Sequence, residues 1–300
     1  MKRPSPLPEA LEARPFSAAQ AIDAGVGRGR LRAGDLEHPF RGVYVPATTP
    51  NDVASRCLAL AHRLPDNAFF TSITAAALWG VPLPWRHESS KMLHVGVPAP
   101  YEPPSGRGIA GHMLELDDGD VIHKNGLLVA SPEISWCQLA TSLSLQELVA
   151  AGDHLIHWRA PITTLDQLGK AVKGWHGRRG VLKLRRALDH LSDRSESPQE
   201  SALRVILVEA GFAGLEVNYW IRTSGGHRYR ADLAFPARKL IIEYQSAFHE
   251  DPTRFRADMT RVSRLEADEW KVTLINKDDL GDRAELVARI GRILRSRPHF

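Results

Sequence analysis

Asp232 and Glu243 are the residues of this chain whose types and spacing could do chemistry. They lie in the run Arg228-Tyr-Arg-Ala-Asp232-Leu-Ala-Phe-Pro-Ala-Arg-Lys-Leu-Ile-Ile-Glu243-Tyr-Gln245, which reads as two strands joined by a tight Pro236–Lys239 turn. Alternation puts Leu233 and Phe235 on one face of the first strand, and Leu240, Ile242 and Tyr244 on the same face of the second. A hairpin folded symmetrically about that turn sets Asp232 opposite Glu243, with Gln245 pointing the same way. Facing carboxylates repel, and sheet formation does not ask for them. A divalent cation, Mg²⁺ or Mn²⁺, resolves the repulsion, and carboxylate-held metal is a recurring device for cutting phosphodiesters.

The Tyr244 carbonyl could add a metal ligand, and Glu200 a further carboxylate, directly or through water. Gln245 would orient the attacking water, although its amide cannot act as a base. His249, four residues on, could contact a phosphate or serve as general base. Arg254, Asp258 and Arg261 share one helical face and form either a phosphate clamp or an ordinary surface ion pair. The bland alternative pairs Asp232 with Arg228 or Arg230, and Glu243 with Lys239. Against it stands the apolar run Leu240-Ile-Ile leading into Glu243, where an unpaired carboxylate is costly to bury.

These residues need a sheet to position them. Ser197-Pro-Gln-Glu200 opens a helix, followed by a strand near 215–221, the hairpin, a helix over 252–267, a strand over 271–275 and a helix over 283–295. That order, αβββαβα, gives a mixed sheet flanked by helices in an α+β fold. A polar linker at 192–198 sets the last boundary, so the expected division is 1–50, 51–190 and 191–300. The middle segment reads as mixed α+β, with strands near 93–97, 121–122 and 127–129, and presents no catalytic constellation.

At the N-terminus Ser17 caps a helix over 18–24, Gly25 turns the chain, and a second short helix carries Arg28, Arg30 and Arg32 ahead of a β-ribbon at 38–45. This reads as a small winged helix-turn-helix module that contacts DNA. The 300 residues carry 39 Lys plus Arg against 35 Asp plus Glu, a formal +4. The basic residues cluster near the N-terminus and at 173–186, which suits a polyanionic partner. Two isolated cysteines, Cys57 and Cys137, fit buried thiols in a reducing cytoplasm, and the absence of Cys-x-x-Cys removes a thiolate zinc site. No apolar window is long enough to span a membrane, and no signal peptide is evident.

The ordered set Ser197-Pro-Gln-Glu200-Ser-Ala-Leu-Arg, Tyr-Arg-Ala-Asp232-Leu-Ala-Phe-Pro, Leu-Ile-Ile-Glu243-Tyr-Gln245, His249, Phe-Arg-Ala-Asp258-Met-Thr-Arg261 and Trp270-Lys-Val resembles the DUF559 endonuclease-like family. That family is related to the very-short-patch-repair nucleases of the PD-(D/E)xK restriction-endonuclease-like superfamily. The resemblance covers roughly residues 197–295 and implies a nuclease fold with Glu200, Asp232, Glu243 and Gln245 at a metal site. Gln245 stands where the superfamily usually has lysine, and the zinc ligands of the repair nucleases are missing. The segment Phe16-Ser-Ala-Ala-Gln-Ala through Phe40-Arg-Gly-Val-Tyr-Val resembles an AbiEi-type antitoxin winged-helix domain over about 35 residues. The expected activity is a metal-dependent DNA endonuclease or nickase, and the alternative is a non-cutting DNA-binding regulator or antitoxin. Cutting both strands with one site per chain would need a homodimer or two successive nicks. A toxin–antitoxin or repair partner fits either reading.

Overall fold

The computed structural model describes residues 4–245 and 252–300, with side chains from 256 onward in the second stretch. It is an α+β structure with three sheets among the described residues. The chain forms two compact units, Met1–Leu139 and Ala140–Phe300. The helices Leu145–Leu155, Leu165–Gly174 and Val181–Asp189, which the sequence reading grouped with the middle segment, therefore belong with the C-terminal sheet.

In the first unit, Ser17 caps the helix Ala18–Asp23 through a reciprocal capping box with Gln20. Strands Phe16–Ser17, Val43–Pro46 and Leu36–Glu37 form a three-stranded sheet with Val43–Pro46 central. Phe16, Ala21, Val26, Leu31 and Leu36 fill a small core. The expected second helix is a correction: the basic segment is one 3₁₀ turn, Arg30–Arg32. Gly27 and Gly29 explain it, since each glycine costs a helix about 1 kcal/mol relative to alanine. A second sheet runs in the order 109–114, 93–98, 69–70, 127–130, 121–124. Sequence reading missed the strand Ile109–Leu114, whose residue types, Ile-Ala-Gly-His-Met-Leu, show no alternation of apolar and polar. Gly111 is required there, because a Cβ would meet the Pro104 carbonyl oxygen at 2.2 Å. Cys57 and Cys137 are buried, as expected, and burial pushes the Cys57 thiol up to about 12.

The second unit carries the candidate chemistry. Its sheet has the order 271–275, 240–244, 228–235, 216–222. The hairpin is antiparallel and the last strand, Lys271–Ile275, runs parallel to Leu240–Tyr244. The helix Pro198–Glu209 and the terminal helix Arg283–Ser296 cover one face, meeting Leu233, Phe235, Leu240 and Ile242. Leu265, from the helix Pro252–Ala267, and Trp270 pack with Ile221, Ala234 and Ile241. The helix–three strands–helix–strand–helix order is the expected one, with one short helix, Lys277–Gly281, before the last.

The turn works as its sequence suggests. Pro236–Arg238 forms a 3₁₀ turn closed by Lys239 in the left-handed region at φ 43°. The register pairs Leu233 with Ile242, Ala234 with Ile241 and Phe235 with Leu240. Full burial of each large apolar side chain contributes about 1.5–3 kcal/mol. A one-residue slip would swap four of them for a set containing both acids, so the core fixes the acids' position.

Candidate active site

Asp232 sits just beyond the hairpin's last paired residues. Its carboxylate accepts the Tyr244 N–H at 3.2 Å, a bond the ladder would otherwise have supplied. On its other side the ladder pairs Ala231 with Tyr219 and Leu233 with Val217, but skips Asp232 and Asn218. Asn218 is in the left-handed region at φ 52°. The strand irregularity thus falls at the candidate residue, where sheets commonly re-aim a side chain.

Glu243, on the adjoining strand, is gripped by Arg261. One guanidinium nitrogen donates to Oε2 at 3.1 Å and the other to Oε1, while the latter also donates to the Arg230 carbonyl at 3.0 Å. The helix Pro252–Ala267 therefore delivers a cation to the sheet. This settles the partner of Glu243 as Arg261. Lys239, the partner considered from sequence, binds Glu269 instead.

Glu200, 8% exposed, is held by its own helix start. Ser197 caps the helix by accepting the Glu200 N–H at 3.1 Å and donates its hydroxyl to Glu200 Oε1 at 2.8 Å, while the Glu196 N–H reaches Oε2 at 3.0 Å. Reciprocal capping of this kind is a structural use for the carboxylate. The Asp232 charge nonetheless acts on Glu200, and also on Glu243.

All three carboxyls are pushed above their ordinary range, and burial is the main cause in each. Hydrogen bonds from Glu196 and Ser197 pull Glu200 back, the Tyr244 N–H does so for Asp232, and Arg261 for Glu243. The site is a desolvated group of acids with one resident guanidinium. Among the described residues no set of three or more His, Cys, Asp or Glu side chains is arranged to hold a metal.

Gln245 lies exposed at the strand end, its N–H donating to the Ile275 carbonyl at 2.8 Å. Tyr244 is partly buried against the core. His249 lies outside the described residues, as does the Arg254 side chain. Arg261 does not form the expected helix-surface pair with Asp258; Glu243 takes it. Arg230, considered as a partner of Asp232, goes to Glu196 instead, and Glu196 and Arg159 have no place in the sequence reading. Glu196 binds Arg230 at 2.6 Å and Arg159 at 3.3 Å. The only available signal was that Arg230 lies two residues from Asp232, on the same side of its strand.

The N-terminal arginines divide in the structure. Arg28 and Arg32 are exposed. Arg30 is locked to Asp35 by two bonds of 2.7 Å and to the Ser5 carbonyl at 2.6 Å, and this bond holds the Asp35 carboxyl below its usual range. If this module binds duplex DNA, replacing Arg28 and Arg32 should flatten log K against log salt by about 1.8, at about 0.9 per phosphate contact. Replacing Arg30 should leave the slope unchanged, which a fluorescence titration across salt concentrations reads directly.

Uncharacterised proteins of Mycobacterium tuberculosis, from strains CDC 1551 and H37Rv, are each 28% identical over 268 residues, spanning 88% of this chain and 94% of the relative. No protein-family model matches the chain. No solved structure matches it either. Among the described residues no helix is long and apolar enough to cross a membrane.

Proposed function

We propose that the C-terminal unit is a metal-dependent DNA endonuclease or nickase, built on the PD-(D/E)xK plan with Gln245 in the lysine position. The observation that carries this reading is the placing of Asp232 and Glu243 on adjoining strands, desolvated and each felt by its neighbours' charge. Burial of like-charged acids costs stability, and functional sites are where such costs are usually retained. The donors suit Mg²⁺ or Mn²⁺ in kind: hard carboxylate oxygens of Asp232 and Glu243, the Tyr244 carbonyl, and Glu200 directly or through water. Such an ion would neutralise charge on the phosphate and polarise the attacked ester. The chain's own residues do the rest. Gln245 orients water by its amide, Asp232 and Glu243 set the local field, and Arg261 holds Glu243 until a cation takes its place.

Arg261 makes a sharp test. Arg261→Ala should lower the Mg²⁺ concentration for half-maximal plasmid nicking by about tenfold, since loss of a hydrogen bond between charged groups removes at least that much competition. An unmoved midpoint would show that Arg261 and the metal do not compete.

The same ion pair favours a second reading, a DNA-binding regulator or antitoxin in which Arg261 permanently neutralises Glu243. Supercoiled plasmid with Mg²⁺ or Mn²⁺ separates the two: nicking supports the enzyme, and intact plasmid bound by the protein supports the regulator.

A further inference from the structure

Beside the carboxylates, the second unit exposes two tryptophans among arginines. Trp158 is 45% exposed and Trp220 is 56% exposed. The Arg159 guanidinium lies 4.8 Å from the Trp158 ring centre and that of Arg194 lies 5.7 Å from it. Arg228 lies 4.9 Å from the Trp220 ring centre. The two aromatic positions are tied together by direct bonds. Trp220 pairs with Arg230 in the sheet, Arg230 and Arg159 share Glu196, and the Asn218 side chain donates to the Arg194 carbonyl. The surface adjoins the acids, because the Glu196 N–H binds Glu200 and Arg230 precedes Asp232 by two residues.

We infer that Trp158 and Trp220, with Arg159, Arg194, Arg228 and Arg230, form a stacking surface for unpaired nucleotides of a DNA strand passing the carboxylate site. Exposed indoles have no folding role that requires water contact, and a base stacks on an indole face whatever its sequence. The arginines serve twice, stacking on the rings and attracting phosphates. Paired bases in a duplex keep their faces covered, so the surface selects single-stranded or frayed DNA over intact duplex. The identity of the polyanion rests on the nuclease reading, whereas the binding itself does not require cleavage.

The test measures binding of a short oligothymidylate to the full chain in EDTA, by quenching of tryptophan fluorescence and by anisotropy of a labelled strand. Expected results are tighter binding to the single strand than to its duplex, and a loss of about tenfold for each of Trp158→Ala and Trp220→Ala. Trp158→Phe and Trp220→Phe should recover most of that loss, which a purely structural defect would not. Replacing Arg159, Arg194 and Arg228 together should flatten the salt slope by about 2, at roughly 0.7 per contact on a single strand. Alanine variants that bind as tightly as the parent would overturn the inference, and so would preference for duplex or equal binding of polyglutamate. Strand binding that needs both tryptophans, with no Mg²⁺-dependent nicking, would keep this surface and remove the nuclease.

Discussion

Asp232→Ala and Glu243→Ala are each expected to reduce Mg²⁺-dependent nicking of supercoiled plasmid by about 100-fold or more, the usual loss when one preorganised charge-stabilising group is removed. The two should fail differently in the folded state. Among the described residues Asp232 accepts one hydrogen bond, from the Tyr244 N–H at the hairpin's end, so its loss frays that end. Glu243→Ala leaves Arg261 half-buried with the Arg230 carbonyl as its remaining acceptor among these bonds. DNA binding in EDTA should persist in both, and strengthen slightly, because each change removes a negative charge from the surface a polyanion approaches. That pairing of lost chemistry with kept binding separates a catalytic role from misfolding. Unaltered nicking by both variants would place the activity elsewhere, and the proposal for this site would fall.

The pH profile carries the same logic. Asp232, Glu200 and Glu243 all titrate above their ordinary values in the folded chain. Groups shifted this way add stability below the unfolded value, and that stability is lost as pH rises through the folded one. Asp232→Asn should therefore gain stability relative to the parent as pH rises above the ordinary carboxylate range, which denaturant titration at two pH values measures. A cation bound by the acids would reverse the trend, since it favours their ionised forms.

The C-terminal fold was legible because its signals were local. The hairpin register followed from alternation and a tight turn, and the helix Pro252–Ala267 and strand Lys271–Ile275 from their local residue pattern. What escaped depended on distant partners. Arg261 and Glu243 are 18 residues apart, and a helical face containing Asp258 offered the arginine a nearer acid that it does not use. The capping role of Glu200 was hidden too, because a carboxylate's type reveals nothing of the Ser197 and Glu196 groups that its oxygens serve. The basic segment forms only the turn Arg30–Arg32, because Gly27 and Gly29 weigh against the helix expected there. The strand Ile109–Leu114 joins its sheet in parallel with Leu93–Pro98, a pairing that no hairpin signal announces.

Asp153 and Arg204 show the same limit most plainly, and they carry the largest expected effect on stability. Neither stands out in the sequence, yet Asp153 is 1% exposed and Arg204 is 6% exposed. Asp153 lies on the helix Leu145–Leu155, and its oxygens accept from Ser192 N–H at 2.7 Å, Ser201 Oγ at 2.6 Å and the Arg204 guanidinium. Arg204 and Ser201 lie on the helix Pro198–Glu209, which carries Glu200 in its first turn, so this network fixes that helix. Arg204→Ala should destabilise the unit by about 3–5 kcal/mol at neutral pH, the usual cost of leaving one buried charge without its partner. Burial already pushes the Asp153 carboxyl up, with Arg204 opposing it. Without that arginine the shift grows, so Asp153 becomes protonated as pH falls and the penalty shrinks. Asp153→Ala should be as damaging but find no such relief, because a stranded guanidinium cannot shed its proton. Replacing the pair together with Asp153→Leu and Arg204→Met should cost less than either single change. Denaturant midpoints at neutral and mildly acidic pH test this directly: equal pH responses in the two alanine variants would show that the pair is not the source of the penalty.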